Sequence, residues 1–200
     1  MGALQYRKTR SNTQHEIEEL FIKHLNQLEI RGYQKLQTIL SELIANLKMH
    51  TRLKEGAIAG YINKPQQMLI FSIVNFDITI RENIKEKNRY IFNNDFDALM
   101  WALKKTHTTR EEEEFGGLGL YWLTKYTSEL NGDFIITSGN SYAEFSVTPY
   151  NNISNNKILD YRKYNLEEYF NGNIITIRIP YIIDKNIQRP NKINKPVHLW

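Results

Sequence analysis

An α/β two-layer sandwich, with a mixed and largely antiparallel sheet covered by helices on one face, is the fold class this sequence predicts. Three observations carry it. Helical periodicity runs through 36–47, two strand-like segments flank a turn at 63–65, and a further helix followed by strands occupies 120–149 and 174–179. With 200 residues, 41% of them hydrophobic and 12% aromatic, the chain can bury one sizeable core. The expected organisation is a helical extension over 1–30, a main domain over 31–180 and an extended basic tail over 181–200.

Each element has its own signal. From 14 to 28, Ile17, Leu20, Phe21, His24, Leu25 and Leu28 recur at helical spacing, with Asn12 or Thr13 as the cap. After Gly32, Leu36, Ile39, Leu40, Leu43, Ile44 and Leu47 mark a longer helix that runs to about Arg52, before a turn around Gly56. Residues 57–62 and 68–74 read as strands, and Asn63, Lys64 and Pro65 between them have turn chemistry, so a hairpin is expected. The stretch 77–115 is polar and charged, with one amphipathic helix expected at about 96–105 on Phe96, Leu99, Met100 and Leu103; so long an insertion is read as a lid or a disordered segment. A helix then runs from the glycines at 116–119 to about Leu130 and breaks at Asn131 and Gly132. Strands follow at 133–138 and 142–149, then a polar loop at 151–156 and an alternating strand at 174–179. No internal repeat is present.

Composition narrows the function. The 26 basic and 22 acidic side chains leave a net charge of only +4, and the basic residues of the tail, Lys185, Arg189, Lys192 and Lys195 ahead of Trp200, are sparse. Nucleic acid is therefore not the expected partner. Cysteine is absent, which excludes thiol redox chemistry, thiolate metal sites and cysteine nucleophiles. The apolar run 68–74 is far too short to span a bilayer, and the first residues are polar and basic without a hydrophobic leader. A cytoplasmic protein without membrane contact is expected.

Three constellations carry chemistry. Glu42, Asn46 and His50 stack along one helix face; a carboxylate there can deprotonate a hydroxyl, and an amide oxygen suits Mg²⁺, although a solvated helix edge has the same look. Asn75, Phe76 and Asp77 end the strand at 68–74, where a polar side chain can read a base edge or simply turn the chain into solvent. Gly116, Gly117, Leu118, Gly119 and Leu120 directly precede a helix, and glycines let backbone amides and a helix N-terminus approach a polyphosphate; a helix packed tightly on a sheet starts the same way.

Taken in order, residues 41–52, 69–84, 108–139 and 172–180 resemble the N box, adenine-reading loop, glycine-box lid and last strand of the Bergerat (GHKL) ATPase superfamily, the histidine-kinase-like ATP-binding domains. The spacing Glu42-x-x-x-Asn46-x-x-x-His50 and the run Gly116 to Leu120 look most similar to those of the anti-sigma-factor serine kinases, as does Thr108-Thr109-Arg110 to their lid. The resemblance implies ATP and Mg²⁺ as ligands, Asn46 as metal ligand, Glu42 as general base, the amides at 117–120 as phosphate holders and Arg110 as a contact to the terminal phosphate. This chain departs from the pattern where the family has an adenine-binding Asp, here Asn75, at the following glycine, here Asp77, and at the threonine after the last glycine, here Asn173.

Two functions follow from that resemblance. One is Mg²⁺-dependent ATP hydrolysis or phosphorylation of a protein on serine or threonine. The other is a degenerate nucleotide-sensing or non-catalytic domain that regulates a protein partner, for which a STAS-like protein and a homodimer are the associations the family suggests. The stretch before the N box is too short for a phosphoacceptor hairpin, so His15-Glu16 reads as a solvated helix start.

Overall fold

Alternation along MLIFSIVN puts Leu69, Phe71, Ile73 and Asn75 on one face of a strand, and in the computed structural model these four are buried while their neighbours are half-buried. This strand is β3 (Met68–Asn75), paired as a hairpin with β2 (Gly56–Asn63) through the turn the sequence predicts. The structure describes residues 3–5, 33–49, 56–87, 90–104, 119–147 and 159–181. The predicted helix at 14–28, the loop at 151–156 and the tail from 182 lie outside them.

Among the described residues the sheet has five strands in the order β1-β2-β3-β5-β4, with β1 at Ala3–Gln5, β4 at Asp133–Val147 and β5 at Leu159–Pro180. Every described pairing is antiparallel, so the parallel component of the expected mixed sheet is not found. Strand β1 pairs with β2, which adds residues 3–5 of the expected helical extension to the sheet.

Helix α1 (Tyr33–Met49) buries Leu36, Ile39, Leu40, Leu43 and Ile44, the stripe its periodicity predicts. It packs on α4 (Gly119–Glu129) and touches β3, and Lys35 pairs with Glu129 at 2.6 Å across the two helices. Their shared core includes Leu123, Phe71, Ile177, Phe134, Ile175 and Ile136. Among the described residues of the charged stretch are two shorter helices, α2 (Ile80–Glu86) and α3 (Asp95–Ala102), and α3 corresponds to the helix expected at 96–105.

Besides β1 and α2, which the sequence reading does not expect, two strands differ from it, each for a physical reason. The strands expected at 133–138 and 142–149 are one strand, β4, with a bulge around Gly139, where φ is 60°. The strand expected only from 174 starts at Leu159. Its first half pairs with β4 alone and is almost wholly exposed, so it lacks the alternation that marks a half-buried strand.

Strand β4 doubles back at this bulge. Phe134 and Phe145 stack with ring centroids 4.6 Å apart, whereas eleven residues of straight strand span roughly 36 Å. Arg178 secures the fold-back by bonding both Asp133 and, at 2.7 Å, Glu144; burial pulls the pKa of its guanidinium down, but these two acidic partners outweigh it and hold the group above its ordinary value. Phe96 of α3 then packs on Tyr161 and under Lys163 of the returning hairpin.

Two glycines permit the corner. A Cβ at Gly139 would collide with the Asp95 carboxylate, and one at Gly172 with the backbone carbonyl of Asn75. Gly139→Ala is expected to cost about 1–3 kcal/mol through its left-handed backbone. Gly172→Ala should cost more, because backbone and not a side-chain tip must give way, and urea midpoints of the two variants will rank them.

Candidate functional site

Row by row, the core face of the sheet runs from apolar to polar. Leu69 lies beside Ile179, Phe71 and Phe134 flank Ile177, and Ile73 and Ile136 flank Ile175. The next row is Asn75, Asn173 and Ser138. Asn75 is 5% exposed and Ser138 fully buried, so these polar groups need partners inside the protein.

The turn between β3 and α2 supplies them. Asn75 Nδ2 donates to the Ile78 carbonyl at 3.2 Å, and Asn75 Oδ1 accepts from the Asn173 amide at 2.7 Å. Asn173 Nδ2 donates to the same Ile78 carbonyl at 2.9 Å. The Ile80 amide donates to Ser138 Oγ at 3.0 Å and to Asn173 Oδ1 at 3.1 Å, which satisfies one free amide at the start of α2. Thr79 closes the arrangement as N-cap: its hydroxyl accepts from the Glu82 amide, and the Glu82 carboxylate accepts from the Thr79 amide.

Of the residues the sequence singles out, the structure thus brings Asn75 and Asn173 side by side. Asp77 is half-buried in the turn above them. Glu42 is half-buried on α1, where Asn46 takes its expected backbone place one turn on; Gly119 begins α4, and Leu120 packs against the core. His50, Arg110, Gly116, Gly117 and Leu118 lie outside the described residues. Among the described residues no group of three or more His, Cys, Asp and Glu could cage a metal ion, which bears on protein-only sites and not on Mg²⁺ held through phosphates.

The Asn75 carboxamide keeps one lone pair and one hydrogen, but at 5% exposure a base edge reaches them only if the 76–80 turn lifts away. In chemical terms this is a clamp between turn and sheet. The residues at this end do not fit an adenine in the conformation described.

A second concave region lies where α2, the start of α3 and the corner of the β4–β5 hairpin meet. This cleft has a volume of about 340 Å³ and is lined by Arg81, Asp95, Asn140, Ser141, Asn165 and Tyr169 among others. Sequence reasoning misses it because its lining comes from segments far apart in the chain. The nearest sequence signals are the two caps, Thr79-x-x-Glu82 and Asn94-x-x-Asp97. Arg81 Nε donates to the Phe92 carbonyl at 2.9 Å, and its guanidinium lies 3.8 Å from Asp95. Asp95 in turn accepts from the Asn140 amide at 3.0 Å.

Tyr169 donates to Glu82 at 3.1 Å. Its pKa stands above the usual 10.0, raised by desolvation and by the charge of Glu82, against the opposing hydrogen bond with Thr79. Tyr142 is raised by desolvation and then by Glu144.

Two outcomes follow. Asn75→Ala leaves the Asn173 amide and the Ile78 carbonyl each short of a partner, and urea unfolding should report a loss of about 1–3 kcal/mol, with faster amide exchange at 76–80. A phenol whose folded pKa is raised contributes stability that is complete below pH 10.0 and is lost as pH rises through the folded value. Melting curves taken across that range should show an alkaline decline that Tyr169→Phe reduces, and phenolate absorbance should appear later in the folded than in the unfolded chain.

Among the described residues no helix is long and apolar enough to cross a membrane. No family model matches the chain, and no curated protein matches it.

Proposed function

We propose that this chain is a degenerate Bergerat-type domain that regulates a protein partner and does not turn over nucleotide. The observation that carries the reading is the clamp. Asn75, at the position of the family's adenine-binding Asp, and Asn173, at the position of the threonine after its last glycine, spend their hydrogen bonds on each other and on Ile78 and Ile80, beneath a turn that leaves Asn75 buried and Asn173 half-buried.

The order of elements supports the superfamily part of the reading. A helix carrying Glu42 and Asn46 precedes a hairpin, and a helix starting at Gly119 precedes a second hairpin whose last strand lies beside β3. Surface chemistry supports a protein partner. Tyr90, Phe92 and Trp101 form a ring cluster beside Ile91, which is 85% exposed, and apolar groups gathered in this way mark interaction surfaces more often than isolated ones do. A STAS-like partner is the one the resemblance suggests.

The competing reading, Mg²⁺-dependent ATP hydrolysis or phosphoryl transfer, draws on Glu42 standing one turn from Asn46 on α1. Isothermal titration with a non-hydrolysable ATP analogue and Mg²⁺, alongside a phosphate-release assay, separates the two. The expected result is phosphate release at background, the same in Glu42→Ala. Mg²⁺-dependent binding that Asn46→Ala removes, together with turnover that Glu42→Ala abolishes, would overturn the proposal in favour of an active ATPase or kinase.

A further inference from the structure

The pleat that turns Leu69, Phe71 and Ile73 to the core turns their neighbours to the other side of the sheet, and that side is apolar as well. Ala57 and Ala59 on β2, Ile70 and Val74 on β3, Ile174 on β5 and Ile135 on β4 share it. Five of the six are half-buried and Ala59 is exposed. The helices lie elsewhere: Leu36 of α1, Leu99 of α3 and Leu123 of α4 sit in the core on the first side, and Ile80 of α2 packs against it. Among the described residues no helix covers the second side. We propose that a second copy of this chain covers it, the two sheets packing face to face about a two-fold axis that runs along the strands between Ser72 and Thr176.

Area comes first. The four strands β2, β3, β5 and β4, at about 4.8 Å spacing, and eight residues at about 3.3 Å make a face of roughly 500 Å² in plan, before the relief of its side chains adds to the accessible area. A specific dimer buries about 600–1,000 Å² on each partner, whereas a monomer rarely leaves so large an apolar patch open. The polar groups on this side are ready for burial. Ser72 Oγ and Thr176 Oγ1 bond to each other at 2.8 Å, so each keeps a partner when water is excluded. At one end of the face Arg178 is held by Asp133 and Glu144, so its charge is paired.

The face is also complementary to itself. An axis along the strands exchanges the two edges, so the β2 column of one copy lies over the β4 column of the other with the rows in step. Small then meets large: Ala59, in the row of Ser72 and Thr176, stands opposite Ile135 of the second copy, which belongs to the same row. One row along, Tyr61, 43% exposed, stands opposite Asp133, whose Oδ1 takes Arg178 and whose other oxygen can accept from the phenol. An axis across the strands would instead set Ala59 on Ala59 and Ile135 on Ile135, a gap beside a clash. Asn75 and Asn173 belong to the opposite side, so this interface is independent of the nucleotide question.

The chain contains no cysteine, which makes the register directly readable. Sedimentation equilibrium of the whole chain should show a dimer in the micromolar range. Ala59→Arg, at an exposed position, should weaken that dimer at least about tenfold with circular dichroism unchanged. Ala59→Cys and Ile135→Cys copies, mixed and treated with a short bismaleimide, should give a covalent dimer. Neither copy alone should give one, because like positions stand three strand spacings, about 14 Å, apart across the face. A monomer throughout the micromolar range overturns the proposal, whether another part of this chain or a different protein covers the face. It is equally overturned by a dimer that Ala59→Arg leaves intact, or by cysteine copies that link no better mixed than alone.

Discussion

Three apolar rows followed by a polar one leave a sheet face with a problem that only hydrogen bonding can solve. Asn75, Asn173 and Ser138 continue the alternation of Leu69, Phe71 and Ile73 and of their partners on β4 and β5, so the pleat turns them to the core face, where Asn75 and Ser138 are buried and Asn173 half-buried. A buried polar group left unpaired costs about 1–3 kcal/mol, and a domain of this kind has only about 5–15 kcal/mol in all. The turn at 76–80 answers these needs with its Ile78 carbonyl and Ile80 amide, and the Asn173 amide on β5 serves Asn75 Oδ1. Its conformation is therefore fixed by the row beneath it, and so is the start of α2, whose Ile80 amide is held from two sides.

What happens beyond that row depends on glycine. A regular β4 would run straight out of the sheet, with its apolar residues Ala143 and Phe145 exposed to water. At Gly139 the strand turns instead and lays Phe145 against Phe134, and both residues end up buried. Fully burying a phenylalanine is worth about 1.5–3 kcal/mol, comparable to the strain that a residue other than glycine would introduce at the corner. With glycine there, the burial is gained without the strain. Gly172 does the matching service on β5, where the chain passes against the Asn75 carbonyl.

Much of this architecture was legible in the chain itself. The stripe on α1, the β2–β3 hairpin, α3 and the break after α4 follow from periodicity and turn chemistry, because each is an amphipathic element packed on a single core. Helix α2 carries a capping signature in Thr79 and Glu82, but its seven residues give too few turns for periodicity to stand out from a charged background. The first half of β5 carries no pattern because both its faces meet solvent. At the site, the sequence singles out Asn75 and Asn173 as related residues, and the register sets them side by side. That they bond to each other was not legible, since it depends on strand order and on the path of the turn. The cleft was less legible still, for it joins three segments that touch only after β4 has doubled back.

The clamp and the cleft are connected by an unbroken line of contacts. The Ile80 amide is pinned by Ser138 and Asn173, which sets the first turn of α2 and so places the next residue, Arg81, against the Phe92 carbonyl and near Asp95. Asp95, 7% exposed, takes the Asn140 amide just past the Gly139 corner and thereby holds the hairpin against α3. Ser138 and Asn140 are neighbours across a single glycine, so the strand that satisfies the buried row also frames the cleft. Lifting the 76–80 turn to admit a base beside Asn75 would release Ile80 and with it the placement of Arg81. A raised turn and the cleft as it stands therefore exclude one another, because both depend on where the Ile80 amide is held. Four of the clamp's hydrogen bonds, two of them sharing the Ile80 N–H, tie the turn to the row and are made only in the closed state, at about 1 kcal/mol for each group satisfied.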